Sequence, residues 1–437
     1  MPATSKSLIL TAAGVVVLGG GGYLGAQAVV GNEVEKALTQ SFAQMDDSLS
    51  WYARDVTIDK TLFKTTVTAT IGMVGVENAN AQVNLLVDHG VIKSPITGTI
   101  HPNEQFVTGD IDVDLVATRS SINGQLTSSS LSTVDVDSTL HDLVVDLNRE
   151  ELNAWNVEGQ AREVLINNEN DSVRIISPRA TLHTQGDENR VMQQSLAIPR
   201  AEFLAQGVSV YMTDIALEAE SESVGDSPIV NSGASFTVAD MGTDDTSIGS
   251  ISFEMTANNW DVQAFQTLQE AYAPLEAMRL EYEESGERGD EQEERELLTQ
   301  AIESGYDVLI ANPSIAFQPL EAHVVLPMMG IDFKPRLTAD ISFDGANLSK
   351  PALYSALWDE ELPQPELLQA SDDVMSEADA LTYLANRVSL DVSLTTPPDL
   401  VIGMIPMPFA GLLDPTSDMQ HVVWKDGTLT VNGQPVM

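Results

Sequence analysis

The chain contains no cysteine. That absence removes disulfide frameworks, thiolate zinc sites, iron–sulfur ligation, cysteine nucleophiles and the lipid-modified cysteine of a lipoprotein. Positive charge is scarce as well: 21 Lys and Arg stand against 65 Asp and Glu in 437 residues, a balance of −44, and only eight of the cations are lysines. So acidic a surface repels phosphate backbones, which excludes nucleic acid as a partner. Anionic lipid headgroups are disfavoured on the same ground, because no basic cluster stands out along the sequence. Apolar residues make up 43%, ordinary for a folded chain, and the length accommodates two or three domains with sizeable cores.

Long apolar runs are missing too, with one exception. Ser7 to Gly31 carries no charge, with Lys6 before it and Glu33 after it. At about 1.5 Å per residue such a helix crosses a hydrocarbon core of roughly 30 Å. Lys6 on the short side predicts a cytoplasmic N-terminus and places the rest of the chain outside the inner membrane. Ala26-Gln27-Ala28 also fits an A-x-A cleavage site, so a removed signal peptide is the competing reading. The retained anchor is preferred because the uncharged run before that site exceeds the roughly 7–15 residues of a signal core. Gly20-x-Gly22-x-x-Gly25 matches the dinucleotide fingerprint in letters only, since the strand, turn and soluble helix that motif needs are absent around it. Gly21 with Gly25 and Gly22 with Ala26 also form a small-residue face, but glycine is common in membrane helices and helix pairing is the weaker reading.

What is present beyond residue 47 is mostly period-2 alternation. Val67, Ala69 and Ile71 alternate with threonines, and Ile111, Val113 and Leu115 with Asp110, Asp112 and Asp114. Val208 to Met212, Ile251 to Met255 and Val388 to Leu394 repeat the scheme, separated by turn pairs such as Asn123-Gly124, Asp426-Gly427 and Asn432-Gly433. These are half-buried antiparallel strands. One segment differs: Val262, Phe265, Leu268, Tyr272, Leu275 and Met278 recur at threes and fours after a capping Asn259 or Asp261, followed by acidic residues 281–296 and a second helix resuming at Leu297. A short helix is expected near Val374 to Ala385. The fold class is therefore mainly β, a β-rich α+β chain with an N-terminal transmembrane helix, large antiparallel sheet regions and a helical-hairpin insertion. The expected organisation is a cytoplasmic tail at 1–6, the anchor at 7–31, a juxtamembrane helix at 32–47, a periplasmic β-rich region at 48–257, the acidic hairpin at 258–304 and a C-terminal β-rich region at 305–437.

Chemistry-bearing patterns are wanting. The histidines at 89, 101, 141, 183, 323 and 421 lack zinc-site spacing, and no nucleophile elbow, phosphate loop or H-E-x-x-H helix occurs. His89, between Asp88 and Gly90, reads as a structural group at a turn. Asp110, Asp112 and Asp114 share one strand face, as do Asp135 and Asp137, but calcium needs six to eight oxygens and a Gly-bearing loop, so a solvated acidic face is preferred. The acidic run 281–296 reads as an exposed hairpin tip, with docking of a basic partner as the alternative. No catalytic, cofactor-binding or metal-ligating residue is assigned, and no cofactor is implied.

Trp51-Tyr52-Ala53-Arg54, Thr61-Leu62-Phe63-Lys64-Thr65, Val87-Asp88-His89-Gly90-Val91, Trp260-Asp261-Val262-Gln263-Ala264-Phe265 and the terminal Asp426-Gly427-Thr428-Leu429-Thr430-Val431-Asn432-Gly433-Gln434 follow an order that resembles the YdgA-like proteins of Gram-negative bacteria, a family with a domain of unknown function. His89-Gly90-Val91 departs from the family's His-Gly-Pro, and Thr61-Leu62-Phe63 lacks its glycine. Members are also generally less acidic and richer in lysine. The resemblance implies an inner-membrane anchor and a periplasmic body, and transfers no catalytic residue. A loose similarity to AsmA-like envelope proteins suggests lipid by analogy. The reading is a non-enzymatic, single-pass inner-membrane protein whose periplasmic β-rich region binds lipid or another apolar envelope ligand. The alternatives are an envelope scaffold or homo-oligomer, and a carboxylate-dependent hydrolase. Without residues 1–31 the exported part carries 20 − 65 = −45, an acidity that suits a salt-adapted surface.

Overall fold

The computed structural model describes residues 51–437 except 74–78, 91, 119–120, 134–136, 152–153, 169–170, 187–190, 206, 226, 244–245, 286–289, 327–329, 359–361, 371–373, 397–413, 415 and 437. The expected tail, anchor at 7–31 and juxtamembrane helix at 32–47 lie outside the described residues. Among the described residues no helix is long and apolar enough to cross a membrane. Strand outweighs helix by 63% to 19%, so the chain is mainly β and antiparallel. The described residues fall into two compact units, one within 51–219 and 237–250, the other within 220–236 and 251–436.

The first unit is a meander. β1 (Trp51–Lys60), β2 (Lys64–Met73), β3 (Asn80–Asp88), β4 (Ser94–Pro102), β6 (Ile111–Ala117), β7 (Ile122–Thr133) and β8 (Asp137–Glu151) pair in that order, with the two-residue β5 (Val107–Thr108) on the end of β7. β8 then pairs with β9 (Ala154–Gln160) along one half and β10 (Glu163–Asn168) along the other. β11 (Asp171–Ile176) and β12 (Arg179–Gln185) repeat this split against β13 (Val191–Ala205). β9 and β10 are thus one long interrupted strand, and β11 and β12 another.

The interruptions line up. Register places Ser129, Asp142, Arg162, Ser177 and Pro199 side by side across five neighbouring strands. Asp142 and Ser177 have φ of 51° and 50°, in the left-handed region, and Arg162 reaches Asp142 at 3.1 Å. A residue in that conformation rotates the strand beyond it, so the inward positions change parity. In β7 the buried positions run Leu126, Ser128 and then Leu131. This crease is why residues 137–205 show no clean alternation in sequence although β8 and β13 are long, and β9 with β10 and β11 with β12 continue one another across it.

β14 (Val208–Ser223), β15 (Ile229–Thr243) and β16 (Thr246–Asp261) contribute residues to both units. In the second unit, β17 (Ser314–Leu326), β19 (Arg336–Phe343), β20 (Val388–Thr395), β21 (Met419–Lys425), β22 (Thr428–Val431) and β23 (Gln434–Pro435) form an antiparallel meander, with β18 (Ile331–Phe333) on the end of β17. The helices are α1 (Val262–Ser285), α2 (Glu291–Ile310), α3 (Lys350–Leu357), α4 (Glu366–Ala370) and α5 (Glu377–Ala385). Asp261 Oδ1 accepts from the Ala264 N–H and starts α1. Asp290 caps α2 through the N–H groups of Gln292 and Glu293. The second helix therefore begins inside the acidic run, at 291 and not at Leu297, because Glu291, Glu293 and Glu294 favour a helix N-terminus. A small core joins Ile302 of α2 to Leu353, Tyr354 and Trp358.

A candidate apolar site on the sheet of the first unit

The main core of the first unit lies on one face of one sheet. Register sets Val67, Leu85, Gly98, Val113, Leu126, Val145, Gly159, Ala180 and Leu196 in a single row from β2 to β13. The next row runs Thr65, Val87, Ile96, Leu115, Gly124, Leu147, Val157, Leu182 and Gln194. Among the described residues no helix belongs to this unit, and the buried cluster draws every member from the strands and their turns. One face of consecutive strands buries itself only when the sheet curls. The glycines in these rows remove the side chains that would oppose the bend: a Cβ on Gly98 would fall 2.0 Å from the Asn84 carbonyl oxygen, and one on Gly124 would fall 2.2 Å from that of Asp114.

Burial along the rows is graded. Val67 and Leu126 are fully buried and Leu147 nearly so, whereas Val157 and Leu182 are half-buried and Leu196 is 36% exposed. Beyond the crease the same face continues with half-buried Val164, Ile166, Val173, Ile175 and Phe203. The apolar face is thus buried from β2 to β8 and covered less fully from β9 to β13, where Ala201 and Thr184 stay buried but the larger apolar side chains are half-buried and Leu196 is exposed. At the margin of the less covered part, Thr184 is buried between its cross-strand neighbours Trp155 and Met192, with its hydroxyl unpaired. An apolar surface interrupted by an occasional hydroxyl suits hydrocarbon better than a charged ligand.

The residues weighed for chemistry are dispersed. His89 ties two turns together, its Nε2 2.7 Å from the buried Thr65 hydroxyl and its Nδ1 3.3 Å from the Leu62 carbonyl oxygen. His101 lies 2.7 Å from Asp110, His183 pairs with Asn156, His323 with Asp332 and His421 with Ser393. Asp112 and Asp114 stand on the exposed face of β6 opposite Thr99 and Thr97. Asp137 accepts from Asn167, and Asp135 lies outside the described residues. Among the described residues no group of three or more His, Asp or Glu is placed to hold a metal ion.

An ionisable group in the second unit joins Glu303 of α2 to Lys350 and Tyr354 of α3. Lys350 Nζ pairs with Glu303 Oε2, the Tyr354 hydroxyl donates to Glu303 Oε1 at 2.8 Å, and the ammonium sits 5.3 Å from the Tyr306 ring centre. Burial pushes the Glu303 carboxyl up, but hydrogen bonds from Lys350 and Tyr354 outweigh it and hold the group below its ordinary value. Burial first, and the carboxylate next, push the Tyr354 phenol upward. Glu202 is lowered, chiefly by its bond from Arg200, and Asp414 by the Thr416 hydroxyl and N–H. Each displaced carboxylate is thus stabilised as an anion, the opposite of what a general acid needs.

Residues 106–325 match the model of a family described as a bacterial protein of unknown function (DUF945). No curated protein matches the chain. Among solved structures, the outer membrane protein OprD from Pseudomonas aeruginosa aligns over 89% of this chain and 87% of its own, at 10% identity and a TM-score of 0.16, a value that carries no argument about fold.

Proposed function

We propose that this chain, which belongs to the family of bacterial proteins of unknown function DUF945, is a non-enzymatic envelope protein that holds a lipid or similar apolar molecule on its β-sheet. The observation that carries the reading is the graded row from buried Val67 to exposed Leu196: an apolar face fully covered at one side and only partly covered at the other. Leaving Val157, Val164, Ile175, Leu182 and Phe203 half in water is costly, at roughly 25 cal/mol per Å² of apolar surface, and an acyl chain along β9 to β13 recovers that energy. The YdgA-like motifs and the uncharged stretch at 7–31 support placing the protein in the inner membrane with its body in the periplasm.

The test is extraction of the purified full-length protein with organic solvent, followed by mass spectrometry, for the wild type and for Leu196→Glu and Phe203→Glu. The expected result is stoichiometric phospholipid or fatty acid on the wild type, lost from the variants while their circular dichroism is unchanged. Equal lipid content in all three proteins, or none in any, would count against the site. A second reading, an interaction scaffold, is favoured by α1, whose Val262, Phe265, Tyr272 and Leu280 are exposed while Ala264 and Ala271 face inward. Light scattering of the full-length protein decides it, with Phe265→Ser and Tyr272→Ser expected to dissociate any oligomer.

A further inference from the structure

The most exposed large apolar side chains of the first unit lie together. Leu62 is 80% exposed, Phe63 71% and Ile92 76%, the first two in the turn between β1 and β2 and the third in the turn between β3 and β4. Antiparallel order puts both turns at the same end of the sheet, side by side. They are fastened to each other: the His89 N–H donates to the Phe63 carbonyl oxygen at 2.8 Å, and the His89 ring contacts Leu62 and Thr65 as described above. Gly90 folds the second turn tightly, since a Cβ there would fall 1.7 Å from the Lys93 carbonyl oxygen.

The charge around this tip is unlike the rest of the chain. Lys60, Lys64 and Lys93 flank the two turns, three of the eight lysines in the whole sequence, and residues 94–333 contain none. Asp59 and Asp88 are the acids beside them, with Asp88 3.4 Å from Lys64, so the tip carries 3 − 2 = +1 in a chain of −44. The lysines form no patch along the sequence because Lys93 is 29 residues from Lys64; β3 and its turns bring them to one end.

We propose that these joined turns form a membrane-docking tip, in which Leu62, Phe63 and Ile92 enter the interfacial layer of an anionic bilayer while Lys60, Lys64 and Lys93 meet its headgroups. Exposed aliphatic and aromatic side chains ringed by lysine are what such a surface retains: apolar groups gain by leaving water, and each lysine near an anionic leaflet adds attraction. An acidic body limits the contact to this end, because the rest of the surface is repelled. The contact does not depend on a ligand at the sheet face. Nor does it require a second membrane: residues 32–50, nineteen in number, span at most about 65 Å between the uncharged stretch and Trp51.

The absence of cysteine makes the test direct. Full-length protein carrying Leu62→Cys, Ile92→Cys or, as a control on an exposed strand face, Asp112→Cys is labelled with a nitroxide and reconstituted into vesicles of phosphatidylcholine with or without phosphatidylglycerol. Collisional relaxation by oxygen against a water-soluble nickel chelate then reads depth at the labelled position alone, whatever holds the rest of the chain on the vesicle. With phosphatidylglycerol, labels at 62 and 92 are expected to favour oxygen while the label at 112 favours nickel. Adding Lys93→Gln is expected to lower the docked-to-undocked ratio about fivefold, and raising salt to lower it further. Labels at 62 and 92 that read as aqueous as the one at 112 would overturn the proposal. So would equal depth in vesicles lacking the anionic lipid, or shielding from both reagents that grows with protein density, which would assign the tip to a second copy of the chain. Lipid extraction from the sheet face is a separate readout, so either idea can fail alone.

Discussion

Ser177 and Asp142 hold left-handed backbone where the long strands of the first unit are creased. For an aspartate that conformation costs little, because its short polar side chain tolerates it, whereas a β-branched residue there is strained by about 1–2 kcal/mol. Ser177→Val should therefore lower stability by that amount and Ser177→Gly should raise it slightly, as measured by urea denaturation. Gly98 is a second sensitive position, set by space and not by torsion: an added methyl group would stand 2.0 Å from the Asn84 carbonyl oxygen, so Gly98→Ala should cost about 1–3 kcal/mol in the same assay. At Glu303 the effect is one of pH. Its folded pKa lies below the ordinary 4.5, so its stabilisation is fully present above about pH 4.5 and is lost as the pH falls through the lowered folded value. Tyr354→Phe should remove part of that acid-linked loss and about 1 kcal/mol of stability at neutral pH, modest because the carboxylate is partly exposed. Comparing thermal midpoints of the two proteins between pH 3 and 7 reads both.

At the scale of elements, the terminal Asp426-Gly427 and Asn432-Gly433 pairs that carry the strongest family resemblance are hairpin turns. Both residues of each pair have positive φ, 51° and 72° in the first, 51° and 76° in the second, as a two-residue hairpin requires. Asn432 also donates to Gln420, a fully buried amide whose other bonds reach Thr396 and Asp414. Those motifs therefore specify architecture, which explains why they transfer no reaction. The helical hairpin shows what periodicity leaves open. Apolar spacing located α1, but the inward face is Ala264, Leu268, Ala271, Leu275 and Met278, while Tyr272 points to solvent and Phe265, partly exposed, packs edge-on against Trp260. Period alone does not say which side of a helix a neighbour approaches. Capping was readable for α1, where Asp261 accepts from the Ala264 N–H, but not for α2, whose cap Asp290 lies well before the apolar pattern resumes at Leu297. Asp290→Ala should destabilise the hairpin by about 1 kcal/mol, seen as earlier loss of helical signal on heating.

For the whole molecule, the excess of acid governs behaviour in salt. Within each unit the exposed carboxylates, those of β6 and β8 in the first and of α2 in the second, repel their neighbours on a surface with few cations, and screening relieves that repulsion. Unfolding midpoints should therefore rise with NaCl, and a flat or falling series would show that charge is not limiting. The mainly β class, the strands with clean alternation, the hairpin turns, the helical insertion and the acidic surface were legible in the chain, because each depends on neighbours a few residues apart. The partly covered apolar face and the lysine-ringed tip were not. The first depends on how the register-matched strands from β2 to β13 curl and on a crease that reverses alternation midway, and the second on bringing Lys64 and Lys93 together through strand pairing. Local pattern decides which elements form; only long-range register decides which side chains share a row, which rows are covered and which are left facing the solvent.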